Sequence, residues 1–264
     1  YGSRGANGVV LITTKKGMSD KITVSCNGYY GWQEATSLPE LMNAEEYCTL
    51  YNEFLKNAGT IPIYTDEMIA KYKANTDPLY PDIDYYDQYY RTANMQNHYF
   101  NIQGGSNNLH FAAMGGYMNQ DGILIKTDFE KYNFRTNFDS YFLDNKRLRI
   151  SGKISGDKST QRFPMDEYYV KANASLSPIL PIKNAEGEWV SVNGEPNYYA
   201  AAMEGALDTN DRHHFNGQFD AEFLIIAGLS ADFTYAYAWT QLRRPAFHPN
   251  PSLFNVSRGY KPSL

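Results

Sequence analysis

Residues Tyr132–Phe142, YNFRTNFDSYF, show the most regular alternation in this chain. In steps of two from Tyr132 the side chains are aromatic, threonine or serine. The positions between them, from Asn133 onward, are mostly asparagine, arginine and aspartate. Successive side chains of a β-strand point to opposite faces of a sheet, so this period of two predicts a strand with one apolar and one polar face.

Six other segments repeat the pattern, and together they predict seven strands. Their apolar positions carry Phe, Ile, Leu, Val or Tyr, whereas the opposite positions carry amides, aspartate and serine with few lysines. Aromatic residues gather near the strand ends, as in the interfacial girdle of a membrane protein. The segments are 22–32, 98–103, 109–117, 148–154, 215–223 and 229–239, and the end aromatics include Tyr30, Trp32, Tyr117, Tyr132, Tyr237 and Trp239.

The predicted connections alternate in length. Short turns are expected at 104–108, 143–146 and 227–228, a medium loop from 119 to about 130, and long polar segments at 33–93 and 157–212. Soluble β-sandwiches do not alternate short and long loops in this way. Outer-membrane barrels place short turns at one end and long loops at the other. Seven strands cannot close a wide barrel. The prediction is therefore all-β: part of an antiparallel transmembrane β-barrel with long, partly helical extracellular loops.

Composition excludes several other classes. The net charge of the 264 residues is −5, which argues against a nucleic-acid partner. No apolar stretch approaches the roughly 20 residues of a spanning helix, since the longest apolar runs are Val9–Ile12 and Phe223–Ala227. Aromatic residues reach 15%, with 23 tyrosines.

The long segments contain three helix candidates. Asn43 followed three residues later by Glu46 predicts a capping box. Thr65 is the expected cap of a second helix, which Pro78 and Pro81 would end, and a third candidate lies around 198–207.

No catalytic, metal or cofactor site is predicted, and the chain is not expected to be an enzyme. Cys26 is expected to be a small outward-facing residue, with a Cys26–Cys48 bridge as the minor alternative. The histidines lack metal-ligand spacing. Aspartates 82, 84 and 87 are spaced loosely like a calcium loop, but the glycine and glutamate of an EF-hand are missing, so a solvated loop is favoured.

The first residues, YGSRGANG running into VVLITTKKG, form the most distinctive motif. Gly2, Gly5 and Gly8 let the backbone pass close to another surface. A phosphate-binding loop is disfavoured because a β-run, not a helix, follows. Arg4, if buried, would need a carboxylate partner, and a role in movement is the alternative.

This motif closely resembles the end of the plug domain in the SusC/RagA family of TonB-linked outer-membrane transporters. Further matching stretches are GYYGW at 28–32, LMNAEEY at 41–47, NQDGI at 119–123 and FEKYNFRTN at 129–137. The resemblance implies that residues 1–17 end the plug and that residues 18–264 form the N-terminal part of a barrel of about 22 strands.

The same resemblance implies a function, partners and a location. It implies import of oligosaccharides, or of peptides, across the outer membrane. It also implies contact with outer-membrane lipid, a SusD-like surface lipoprotein and the TonB–ExbB–ExbD complex. The alternatives are a receptor that signals without importing and a soluble carbohydrate-binding β-sandwich.

A group of loop tyrosines is the predicted substrate contact. Aromatic rings can stack on sugar faces or on peptide side chains. Packing of a long loop against its own helices is the alternative. The candidate residues are Tyr80, Tyr85, Tyr86 and Tyr89, with Tyr90 beside them.

Overall fold

The computed structural model describes residues 21–164, 176–192, 197–204 and 207–245, together with the backbone of 254–256. The strands are β1 Thr23–Gln33, β2 Ala93–Gly105, β3 Leu109–Asp121, β4 Asp128–Phe142, β5 Leu148–Pro164, β6 Val190–Val192, β7 Leu207–Ile226, β8 Leu229–Arg243 and β9 Phe254–Val256. The helices are α1 Ala44–Asn57, α2 Asp66–Ala74, α3 Tyr85–Tyr89 and α4 Tyr198–Glu204.

Seven strands form one antiparallel sheet in the order β1-β2-β3-β4-β5-β7-β8. Each strand pairs with its neighbour along the chain, apart from the small β6 inserted between β5 and β7. Parallel pairing occurs within the described residues between β6 and β9. The predicted seven-stranded all-β architecture and its alternation of short and long connections are confirmed.

Several predicted boundaries are wrong, because the strands are longer than the apolar alternation suggests. β5 continues to Pro164 and β7 begins at Leu207, so the connection is 165–206 and not 157–212. The loop predicted to reach Glu130 ends earlier, since β4 begins at Asp128. In both places the strand continues with polar residues on its apolar side, and the two-residue period disappears while the backbone ladder persists.

The two faces of the sheet differ in chemistry and in exposure. We call the face that carries Phe134 the apolar face and the face that carries Asn137 the polar face. On the apolar face Phe134 is 50% exposed, whereas on the polar face Ala112, Asn137 and Ser151 are 5% exposed or less. The polar face is therefore the enclosed side, and the apolar side chains point outward.

Two glycines on the apolar face, Gly152 and Gly156, lie under phenyl rings of the neighbouring strand. A Cβ added at Gly156 would lie 2.7 Å from the Phe134 ring and 3.2 Å from the His214 carbonyl oxygen. A Cβ at Gly152 would lie 2.5 Å from the Phe138 ring. Each ring thus covers the backbone of the strand beside it, which compensates for the missing glycine side chain.

The short turns close one end of the sheet. The turn after β4 has Leu143, Asn145 and Lys146 at positive φ, and Gly228 at φ +86° closes the β7–β8 hairpin. The Arg147 guanidinium donates to the carbonyl oxygens of Leu224 and Ile225, at 3.1 and 2.5 Å. These bonds join the β4–β5 turn to the end of β7, next to the β7–β8 turn.

The long connections form a helical cap at the opposite end of the sheet. The cap comprises residues 34–92 and 122–127 and the described part of 176–204. Its α1 begins with the predicted capping box: the Glu46 amide donates to Asn43 Oδ1 (2.8 Å), and Asn43 N–H donates to Glu46 Oε2 (3.2 Å). Thr65 caps α2 as predicted. That helix ends at Asn75 in the left-handed conformation, before either predicted proline.

Two aromatic clusters hold the cap together. In the first, the buried Cys48, Tyr64 and Tyr72 pack with Ile179. In the second, buried Tyr85 and Tyr89 pack with residues near 176–182 and with α4. The two long connections, whose contacting residues are about 95 positions apart in sequence, therefore pack together in the cap. Both cysteines are free; Cys26 is exposed, as predicted, and Cys48 is buried.

We predict that Gly156→Ala destabilises the sheet, because the new methyl group would overlap the Phe134 ring. Overpacking of this kind costs about 1–3 kcal/mol. Urea unfolding of the full-length protein would measure this loss of stability.

Gly217→Ala is the matched control, since it lies on the same face and its Cβ would meet Phe215 at an ordinary 3.7 Å. It should be neutral, or stabilising by up to about 1 kcal/mol. Equal losses for the two variants would contradict the role given to the Phe134 ring.

Candidate functional site: the polar face and the cap

An ion-pair network stabilises the polar face near the short turns. Arg149 on β5 donates through Nε and Nη2 to Asp139 Oδ1 on β4, at 3.0 and 2.5 Å. Its Nη1 lies 3.5 Å from Glu222 Oε2 on β7. One guanidinium thus connects three adjacent strands, and the nearly buried Asp139 carboxylate has a compensating charge.

Asp220 is the centre of a second network on the same face. Its oxygens accept from Gln218 Nε2 at 2.8 and 2.9 Å and from Thr234 Oγ1 at 2.8 Å. Further along β7, His214 is hydrogen-bonded to Thr240 and to Asn216, both at 2.7 Å. The polar face therefore presents neutral amides and hydroxyls together with carboxylates that are already hydrogen-bonded.

A concave region of about 230 Å³ lies on the polar side of β1–β3. Its lining is mostly apolar surface, to which the Tyr99 ring contributes, and among the apolar groups lie four amide or hydroxyl side chains. Such groups can bind sugar hydroxyls or peptide amides, and they equally suit contact with a protein segment. The lining residues are Ser25, Asn27, Tyr99, Phe100, Asn101, Gln103, Ala112 and Met114.

The predicted substrate tyrosines occupy two kinds of environment in the cap. Tyr85 and Tyr89 are buried, with 4% and 3% exposed. The Tyr85 hydroxyl donates to the Leu180 carbonyl oxygen at 2.8 Å. Burial raises the pKa of Tyr85 well above its ordinary value of 10.0 because the phenolate would lose its hydration. Both rings pack inside the cap against residues 176–182 and α4 of the second long connection. The sequence had offered packing against the helices of their own loop as the alternative to substrate contact.

Tyr80 and Tyr86 retain more access to solvent. Tyr80 packs edge-to-face on Tyr72 at 5.2 Å, and the Lys71 ammonium lies 5.3 Å from its ring centre. Tyr86 meets Tyr90 edge-to-face at 5.8 Å. Tyr80 and Tyr86 are half-buried, so each leaves part of its surface for a ligand.

The aspartates near these tyrosines hold backbone groups. Asp82 Oδ1 accepts from the Ala44 amide at 2.8 Å, and Asp84 Oδ1 accepts from the Tyr86 amide at 2.8 Å as the N-cap of α3. No group of three or more His, Cys, Asp or Glu side chains suited to a metal ion occurs in the described part of the chain. The predicted plug residues Gly2, Arg4, Gly5 and Gly8 lie outside the described residues.

Sequence comparison finds relatives that match most of this chain. It is 28% identical over 271 residues to TonB-dependent receptor P3 of Formosa agariphila, matching 98% of this chain and 25% of that protein. It is 32% identical over 253 residues to TonB-dependent receptor P26 of the same organism, with 88% and 24% covered. The chain is related to the TonB-dependent receptors. The resemblance seen in its first residues is thereby confirmed.

A further relative is TonB-dependent receptor SusC of Bacteroides thetaiotaomicron, 26% identical over 249 residues, with 84% of this chain and 23% of that protein covered. The chain spans about a quarter of the length of these curated relatives. No protein-family profile matches it.

Solved structures show the same fold. The RagAB peptide transporter superimposes with a TM-score of 0.69 at 21% identity, over 93% of this chain and 31% of that one. The RagAB peptide importer in its 'closed-closed' state gives 0.70 at 22%, over 95% and 32%. At this level of identity the likeness establishes the fold alone, which is that of part of the RagAB structure. No helix in the described ranges is long and apolar enough to cross a membrane.

Sequence reasoning missed the ion-pair network of the polar face. Asp139 and Arg149 flank the turn at 143–147 at similar distances, so a hairpin brings them to neighbouring positions. The turn was predicted correctly, and pairing outward from it would have found this contact. Glu222 could not be found in the same way, because its register with β5 depends on a 42-residue connection, 165–206.

We predict that Tyr85→Phe loosens the cap without disordering it. The variant loses one buried hydrogen bond, worth about 1 kcal/mol, and leaves the Leu180 carbonyl oxygen unsatisfied. Amide hydrogen exchange in α3 and near Leu180 should become several-fold faster.

Tyr86→Phe is the control, since the described residues provide no hydrogen-bond partner for its hydroxyl. Its exchange rates should match those of the parent protein. Equal acceleration in both variants would show that the Tyr85–Leu180 bond does not hold the cap.

Proposed function

We propose that the chain is the N-terminal part of the barrel of a TonB-dependent outer-membrane importer. The observation that carries the proposal is the length of its apolar spans. On β3, β4, β5, β7 and β8 the outward apolar positions cover at least nine residues each, and a tilted strand needs about 9–11 residues to cross a bilayer. The spans are Leu109–Tyr117, Phe134–Phe142, Leu148–Gly156, Phe215–Phe223 and Ala231–Trp239.

On β4, β5, β7 and β8 the spans are also aligned. Gly156, Phe215 and Trp239 are register partners, and the next outward residues, Lys158, His213 and Gln241, are partners too. An apolar surface with one shared boundary fits a bilayer better than it fits the interior of a soluble protein.

The enclosed polar face fits the lumen of such a barrel. In the receptors that this chain resembles, the lumen holds a plug, and we assign residues 1–17 to the end of that plug and 18–264 to the barrel. The start of β1 lies at the short-turn end, because Thr23 pairs with Gln103 next to the β2–β3 turn. A plug joined there would enter from the periplasmic side.

The cap would then face the outside of the cell, where cargo and a surface lipoprotein meet the receptor. We propose a SusD-like lipoprotein as the partner there and the TonB–ExbB–ExbD complex as the energy source on the other side. SusC among the relatives and RagAB among the structures support this pairing. Oligosaccharides are the proposed cargo, with peptides as the second class.

We propose two different roles for the four candidate tyrosines of the cap, according to how exposed each one is. Tyr80 and Tyr86 are placed to contact cargo through their accessible ring surfaces. Tyr85 and Tyr89 act by holding the helices beneath them.

The soluble β-sandwich alternative is disfavoured by the exposure of the sheet. It requires the apolar strand faces to pack on one another, whereas within the described residues they lie exposed on a single sheet. A receptor that signals without importing remains the second candidate, and a signalling extension upstream of the plug would favour it.

Cysteine labelling in intact cells would test the topology. In a background without other reactive cysteines, Glu53→Cys on α1 should react with an impermeant maleimide. Ser106→Cys in the β2–β3 turn should react only after the outer membrane is opened. Phe138→Cys, in the middle of the apolar face, should be protected in both conditions. Labelling of Ser106→Cys in intact cells would overturn the orientation.

Uptake of labelled oligosaccharides and peptides would test the cargo and the tyrosines together. Tyr80→Ala and Tyr86→Ala should each raise the KM for uptake by roughly two- to tenfold through loss of a stacking contact. Tyr85→Phe, which keeps its ring in the core, should leave the KM unchanged. If neither cargo class enters, the signalling candidate is favoured.

A further inference from the structure

A cationic group lies directly beyond the apolar boundary on β5, β7 and β8. Lys158 and His213 are cross-strand partners, and His213 is also the partner of Gln241. Arg243 follows Gln241 on the same face of β8 and is opposite Asp211. We call Lys158, His213, Gln241 and Arg243 the boundary patch.

We propose that the boundary patch binds the phosphate of a lipid headgroup in the leaflet next to the cap. The proposal rests on the barrel function given above, because only a membrane-embedded sheet brings this face to headgroup level.

The spacing of the patch suits one phosphate group. Directly opposed residues in an antiparallel sheet have Cβ atoms about 5 Å apart, and diagonal neighbours about 7–8 Å. Lys158 and His213 are opposed, and His213 and Arg243 are diagonal neighbours. Long lysine and arginine side chains at these separations can converge on a single tetrahedral anion, with charge-assisted hydrogen bonds.

The two strong cations of the patch are available. Lys158 and Arg243 are exposed, and neither forms an ion pair in the described part of the chain. The Gln241 amide oxygen, in the orientation that satisfies both of its ends, accepts from Arg243 Nε and Nη2 at 3.0 and 3.2 Å. That contact positions the guanidinium without neutralising its charge.

The nearby carboxylates on this face have other partners. Asp128 pairs with Arg162 at 3.1 Å, and Glu130 accepts from the Tyr132 hydroxyl at 2.9 Å. Asp211 accepts from the Thr160 hydroxyl at 2.7 Å. Of the three, Asp211 lies opposite Arg243 and reduces the positive potential there, so its removal should strengthen anion binding.

The position of the patch favours a lipid over a free phosphate ion. The register row beneath it, Gly156, Phe215 and Trp239, belongs to the apolar surface that contacts acyl chains. Trp239 is an aromatic of the kind that anchors at the membrane interface. A lipid can place its chains on this surface and its phosphate on the patch together, whereas inorganic phosphate gains only the second contact.

The test uses the full-length receptor purified in detergent and reconstituted in nanodiscs. The probe is lipid A, a phosphorylated glycolipid, mixed at increasing fractions into phosphatidylcholine. Native mass spectrometry counts the lipid A molecules that each receptor retains. Each cation near an anionic membrane surface contributes about a fivefold preference. We therefore expect Lys158→Gln with Arg243→Gln to lower apparent affinity at least about tenfold, and Asp211→Asn to raise it.

The matched control is Lys153→Gln with Arg212→Gln. Lys153 lies on β5 and Arg212 on β7, and both are on the polar face of the sheet. This double variant removes the same charge and should leave lipid retention unchanged. Equal loss in both double variants would overturn the proposal, since it would reflect net charge alone. Displacement of lipid A by millimolar inorganic phosphate would overturn the lipid assignment.

Failure of the proposed function gives a different result. A chain that is not a membrane barrel would not enter nanodiscs at all. A receptor that inserts normally but retains lipid A equally in the parent and in the patch variant contradicts the boundary patch alone.

Discussion

The backbone hydrogen-bond ladder of the seven-stranded sheet is the constraint on which the remaining structure depends. In a bilayer an unpaired N–H or C=O group costs several kcal/mol, so each strand must stay paired through the apolar span. Continuous antiparallel registers from β1 to β5 and then to β7 and β8 satisfy this condition. With the backbone satisfied, the side chains on the two faces can follow different chemistries.

The ladder also explains why the polar face can carry buried charge. Strand register places Asp139, Arg149 and Glu222 side by side, and each charge gains a partner without rearrangement of the backbone. On the opposite face the same register brings Phe134 over Gly156. Packing and charge pairing are thus both consequences of alignment, and a shift of one residue would exchange the two faces.

Local patterns predicted most of the fold. The Asn43–Glu46 capping box, the turn at 143–146 and the parity of long and short connections are short-range features, and the sequence predicted all of them. The ends of β5 and β7 were missed because beyond Gly156 and Phe215 both faces become polar. The burial of Tyr85 depends on Leu180, which is distant in sequence. Neither a periodicity nor a propensity could report that contact.

The distance in sequence between the two halves of the cap has a consequence for the order of folding. Tyr85 and its partner Leu180 are 95 residues apart, with β2 to β5 between them. Contacts between residues so far apart in sequence form late, because a long loop must close before the contacts can stabilise the fold. The seven-stranded sheet should therefore assemble strand by strand before the helices of the cap pack together. Until then, the aromatic rings of the first long connection would be open to other proteins.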